Sequence, residues 1–156
     1  MTDFPADREL VLTRLIDAPR ANLYRCWTEP HLVKQWFAPK PWETPIVELD
    51  VRTGGSSRIV MRGPDGSESP GSGTYLEVVP NEKIVFTDAF TSAWEPGATA
   101  PFMLGIITFA DEGGKTRYTA RVRHWSVEAK EAHEKMGFHV GWGQCADQLA
   151  ALAATL

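Results

Sequence analysis

This 156-residue chain predicts an α+β fold: a curved antiparallel sheet of six to seven strands around a long C-terminal helix, with two short helices after the first strand. Three observations predict it. A Leu/Val/Ile-rich segment is followed at once by two proline-led helical segments. Strand-like segments joined by short turns fill the middle, and an Ala/Leu-rich helical stretch closes the chain. Strands joined by short turns pair antiparallel. The terminal helix is the only segment long enough to cover the face they form, and a sheet curved around a helix leaves room for a cavity.

Glu9 to Asp17 reads as the first strand. Pro19 opens a helix, because its missing N–H costs nothing in a first turn. Leu23 and Trp27, four apart, share a face of that helix. Thr28 is placed to cap a second short helix from Pro30, where Leu32 and Trp36 repeat the spacing, and Pro39 and Pro41 end it. Strands follow at Ile46–Arg52 and Ser57–Arg62. The glycine- and proline-rich run Gly63–Gly73 reads as a hairpin loop, since it lacks the Gly-Lys-Ser/Thr ending of a phosphate loop. Four more strands are expected at Thr74–Val79, Lys83–Phe90, Phe102–Ala110 and Thr116–His124, with a longer loop over Thr91–Pro101 and a turn at Glu112–Lys115. Ser126 caps a final helix of about thirty residues, with Ala129, Ala132, Met136 and the Leu/Ala tail at apolar positions. Gly137, Gly141 and Gly143 weaken that helix by roughly 1 kcal/mol each relative to alanine and let its backbone approach something closely.

The composition, 43% hydrophobic and 23% charged, suits one soluble domain over residues 1–156. A net charge of −4 gives no concentrated basic face for nucleic acid. No apolar run is long enough for a membrane span, and the N-terminus lacks the regions of a signal peptide. Cys26 and Cys145 form neither a metal-ligand spacing nor a disulfide framework. A cytoplasmic protein is expected, with no cofactor and no metal.

Strand alternation selects the candidate cavity residues. Arg117, Thr119, Arg121 and Arg123 share one face of the last strand, while Tyr118, Ala120, Val122 and His124 share the other. The arginines require water, so the second set points inward. The same logic turns Ile59 and Met61 inward and leaves Arg58 and Arg62 in solvent. Tyr75 and Glu77 share a face, so Glu77 either enters the cavity with Tyr75 or marks the surface. His124, at a strand end, can hold a ligand oxygen, act as a base, or simply be a satisfied structural residue. His133 and His139 are six apart and do not share a helix face. Trp27 reads as core. Trp36, Phe86, Trp94 and Trp142 supply aromatic wall, and Met136 and His139 join from the final helix. The candidate ligand-binding set is thus Trp36, Met61, Tyr75, Glu77, Phe86, Trp94, Tyr118, His124, Met136, His139 and Trp142.

Ile16-Asp17-Ala18-Pro19, Trp27, Pro30 through Trp36-Phe37, Gly73 through Pro80, Thr87, Thr116 and Gly141-Trp142 together resemble the activator of heat-shock protein 90 ATPase homologue family. That family belongs to the SRPBCC or START-like superfamily, with the fold of the birch pollen allergen. The resemblance covers nearly the whole chain and implies a helix-grip fold with a cavity between sheet and C-terminal helix. It does not imply one function, because the superfamily includes carriers, receptors and cyclases. The eukaryotic activator carries an additional N-terminal domain, which is not expected within these 156 residues. The expected role is non-covalent binding of a small hydrophobic or aromatic molecule in a cavity of about 300–1,000 Å³. Two alternatives stand beside it: an enzyme of the cyclase or hydrolase kind using His124 or Glu77, and a chaperone ATPase co-regulator. No nucleophile partner is visible, so no catalytic residue is assigned. The expected partner is a small apolar ligand, with no nucleic acid or membrane, for a monomer or homodimer; a chaperone partner is not expected.

Overall fold

The computed structural model describes residues 3–92 and 94–156. In chain order the elements are β1 (Glu9–Ile16), α1 (Arg20–Thr28), α2 (Pro30–Val33), β2 (Glu43–Leu49), β3 (Ser56–Arg62), β4 (Glu68–Val79), β5 (Lys83–Thr87), β6 (Phe90–Ser92), β7 (Glu95–Pro96), β8 (Leu104–Glu112), β9 (Lys115–Arg123), α3 (Val127–Lys135) and α4 (Phe138–Ala153). Seven strands form one sheet in the order β1-β9-β8-β5-β4-β3-β2, every neighbouring pair antiparallel. The first strand thus lies beside the last, and α1 and α4 pack together over one face, against β8 and β1. This is the expected helix-grip architecture.

The arginine alternation on β9 falls as expected. Tyr118, Ala120, Val122 and the following His124 are buried. Arg117 pairs with Glu112, and Arg121 and Arg123 both reach Glu9, on the opposite face. Leu10, Leu12 and Ile16 of β1 join the same inner layer, where Leu23, Ile84, Ile107, Phe109, Phe138 and Leu149 close the core between sheet and helices.

Several elements differ from expectation for identifiable reasons. The Thr28 hydroxyl donates to Tyr24 O one turn back and does not cap α2, which starts from Glu29 with Pro30 as its first residue. β2 ends at Leu49 because a turn follows, in which Arg52 N donates to Asp50 O and Gly55 N donates to Arg52 O. The Gly63–Gly73 run is only partly loop: the turn closes at Gly63–Ser67, and Glu68–Gly73 pair with β3. Pro70 is tolerated there because β5 pairs with β4 only from Thr74 onward, leaving this stretch an open edge on which a missing N–H costs nothing. The Thr91–Pro101 loop contains the small β6–β7 hairpin, whose first strand packs against β3 and β4.

The C-terminal helix is two helices. Ser126 caps α3 as expected, its hydroxyl accepting from Ala129 N. The chain then breaks at Gly137, whose φ of +97° belongs to the left-handed region that glycine enters without a Cβ penalty. Among the described residues no helix is long and apolar enough to cross a membrane.

Candidate functional site

The break between α3 and α4 opens a cavity of about 240 Å³. Trp27 and Trp36 bound it from the N-terminal helical segment, Met61 and Tyr118 from the sheet, His133 and Met136 from the end of α3, and Phe138, Trp142 and Cys145 from α4. A second cavity of about 360 Å³ shares Phe37 and Met61 with the first and continues past Phe86 toward the open edge of β4 and Phe102. A small pocket of about 40 Å³, walled by Trp27, Tyr75 and Phe86, lies between them. The first cavity alone is smaller than the expected range; joined to the second it falls inside it.

Glycines shape this space by what they lack. A Cβ on Gly141 would meet nothing within 4 Å, so the absent side chain is itself cavity volume. Gly143, by contrast, faces the Arg14 guanidinium, 3.1 Å from where its Cβ would stand. The close approach expected of the α4 glycines is met at Gly143, and Gly141 serves space.

Of the candidate residues, Trp36, Met61, Tyr118, Met136 and Trp142 line the first cavity, Phe86 and Met61 the second, and Tyr75 the small pocket. Met136 is 74% exposed and sits at the mouth. Three candidates lie elsewhere. β4 carries a bulge: Tyr75 pairs with Phe86, but Glu77 pairs with Val85. The extra residue reverses the alternation, so Glu77 does not share Tyr75's face. Its carboxylate lies 2.7 Å from Lys83 Nζ, on a side chain 48% exposed. Trp94 is 52% exposed, with a φ of +69°, and packs on Phe90 and over Gly54. His139 is exposed and paired with Glu134.

His124 is fully buried but reaches the cavity only through a partner. Its Nδ1 lies 3.0 Å from Arg8 O, and its Nε2 lies 2.9 Å from Nδ1 of His133, whose ring is cavity wall. His133 was legible in principle: Ala129, His133 and Met136 follow helical spacing, and a capped α3 returns over the end of β9. Comparison with His139 alone hid it. Burial, with His124 adding to it, holds the His133 imidazolium down to a pKa of about 4. His133 is therefore neutral at physiological pH. It stands among aromatic rings, with Phe102 at 4.6 Å, Phe138 at 5.2 Å and Trp142 at 6.5 Å between centroids.

The other polar groups of the wall are few. The Trp36 indole donates to Cys26 O at 2.8 Å. The Trp27 indole Nε1 is buried without a hydrogen-bond partner among the described residues. Burial pushes the Tyr75 phenol up to about 12, against a weaker pull from Ser57, and raises that of Tyr118 against a weaker pull from the Trp27 indole. Burial likewise moves the Cys145 thiol up to about 11, and its Sγ donates to Phe37 O at 3.4 Å. No lysine or arginine among the described residues lines the first cavity. Among the described residues no three His, Cys, Asp or Glu side chains converge as metal ligands.

Solved structures share the architecture. A protein from Nitrosomonas europaea is 36% identical over 97% of both chains, with a TM-score of 0.93. One from Chromobacterium violaceum is 25% identical, covering 92% of this chain and 96% of its own, with a TM-score of 0.76. One from Mycobacterium smegmatis, at 24% identity, covers 94% of this chain and 90% of its own, with a TM-score of 0.79, a likeness of fold. No curated protein matches the chain. The family described as Activator of Hsp90 ATPase homolog 1-like protein matches residues 17–154. With most of the chain matched, and with α1 through α4 and every strand of the sheet after β1 inside that span, the protein belongs to this family.

Proposed function

We propose that this protein binds a small, mainly apolar molecule, without covalent chemistry, in the paired cavities between the sheet and α3–α4. The observation that carries the reading is the first cavity: about 240 Å³ of space walled largely by aromatic and aliphatic side chains, with a few polar groups at fixed positions. Ligand pockets have this composition, an apolar wall with a small number of orienting groups. A core that needed only stability would fill such space, since voids lower stability by an amount that grows with their volume.

Gly141 supplies the test. A leucine there enters open space, removes ligand volume and improves helix propensity. Gly141→Leu is expected to fold with stability equal to the parent or up to about 1 kcal/mol higher. It should also lose at least about tenfold in affinity for a neutral aromatic probe such as 2-methoxynaphthalene, a difference of about 1.4 kcal/mol. Calorimetric titration reads both proteins. Absence of binding to the parent, or binding unchanged in the variant, contradicts the reading.

A further inference from the structure

The hydrogen bonds around His124 fix which nitrogen of His133 is left for a ligand. A carbonyl oxygen only accepts, so His124 Nδ1, 3.0 Å from Arg8 O, carries a proton. In the neutral ring His124 Nε2 is then a bare acceptor, and His133 Nδ1, 2.9 Å away, must donate to it. That leaves His133 Nε2 without a proton, on a ring that forms part of the cavity wall. Among the described residues it has no hydrogen-bond partner. The wall thus offers an imidazole acceptor whose tautomer is set from behind by the Arg8 backbone.

The bare Nε2 asks for a hydrogen-bond donor on an otherwise apolar molecule, which a hydroxyl supplies. Among the described residues no cation lines the cavity, so none of them compensates a carboxylate or phenolate against the bare Nε2 lone pair.

Resting on the binding role above, we propose that the cavity selects neutral, apolar molecules bearing a hydroxyl group, phenols foremost, and that His133 Nε2 accepts the hydroxyl hydrogen. The aromatic rings of Phe102, Phe138 and Trp142 around His133 then face the apolar body of the ligand. His124 is a positioning residue: it touches no ligand and acts by holding His133 in one tautomer.

The test compares 2-naphthol, its methyl ether 2-methoxynaphthalene and 2-naphthoate at neutral pH, against the intact protein and His133→Phe. The naphthol is expected to bind about tenfold more tightly than the ether, as one hydrogen bond to a buried acceptor implies, and the naphthoate more weakly than either. His133→Phe keeps an aromatic wall and should bring the ratio of naphthol to ether affinity down to about one. Equal affinity of naphthol and ether for the parent, or a naphthol preference that survives in the variant, overturns the proposal. If neither neutral compound binds, the cavity reading itself has failed; if both bind alike, only the role of His133 has. Imidazole ¹⁵N spectra of the parent give a second readout that needs no variant. The His133 Nε2 signal should leave the bare-nitrogen position when naphthol is added, and a signal that stays in place while naphthol binds overturns the proposal equally.

Discussion

Trp27→Ala is expected to lower the free energy of unfolding by about 3–5 kcal/mol, the range for deleting a buried aromatic side chain. Trp27 packs on Trp36, Phe86 and Phe37 at centroid distances of 5.0, 5.8 and 6.0 Å. It also separates the first cavity from the small pocket beneath it. Its loss would merge existing voids instead of letting neighbours collapse inward, which places the cost toward the upper end. Against a typical total of about 5–15 kcal/mol this is a large fraction. Urea denaturation measures it, with Trp27→Phe as the companion that keeps one aromatic ring while removing the indole N–H and part of the bulk, and that should lose less than the alanine variant. A loss below about 1 kcal/mol in the alanine variant would mean that Trp27 does not hold the framework of the cavity.

Acid should destabilise the fold through His133. Its folded pKa of about 4 lies below the unfolded value of about 6.5. Between these values the unfolded chain binds a proton that the folded chain does not, so stability rises with pH across this window. The contribution is whole above about pH 6.5, shrinks as pH falls toward 4, and changes no further below that. The distance between the two values corresponds to a loss of about 3 kcal/mol. Exposed carboxylates held low by their partners, such as Glu134 beside His139 and Lys130, give way only at lower pH. The interval from about 6.5 to 4.5 therefore lies above those carboxylates, and comparison with His133→Phe separates His133 from His31, His124 and His139. Urea midpoints across that interval should fall steeply in the parent and stay nearly level in His133→Phe. Parallel curves for the two proteins would contradict the assignment.

Periodicity read the framework well because most of it follows from single-residue alternation. The arginines of β9 had to meet water, and that alone placed Tyr118, Val122 and His124 inside. The same method failed at Glu77, where a bulge adds a residue that alternation does not count. It failed again at the C-terminal helix. Three glycines were visible there, but only φ at Gly137 shows which one breaks the helix, and that break creates the cavity mouth. Trp94 followed the rule that a loop tryptophan marks a pocket, yet its ring covers Gly54 on the surface. The His124–His133 contact joins a strand end to a helix across nine positions, and only the turn geometry between them brings the rings together.

The six tryptophans divide the protein into a cavity set and a surface set, which gives the most direct test. Trp27, Trp36 and Trp142 line the first cavity, whereas Trp42, Trp94 and Trp125 are exposed outside it. In ¹H–¹⁵N spectra each indole N–H gives its own signal. Titration with 2-methoxynaphthalene should shift the signals of Trp27, Trp36 and Trp142 together, saturate at one equivalent, and leave those of Trp42, Trp94 and Trp125 in place. Saturable shifts confined to the surface tryptophans, or no shift in any signal, would contradict a ligand-binding cavity between the sheet and its C-terminal helices.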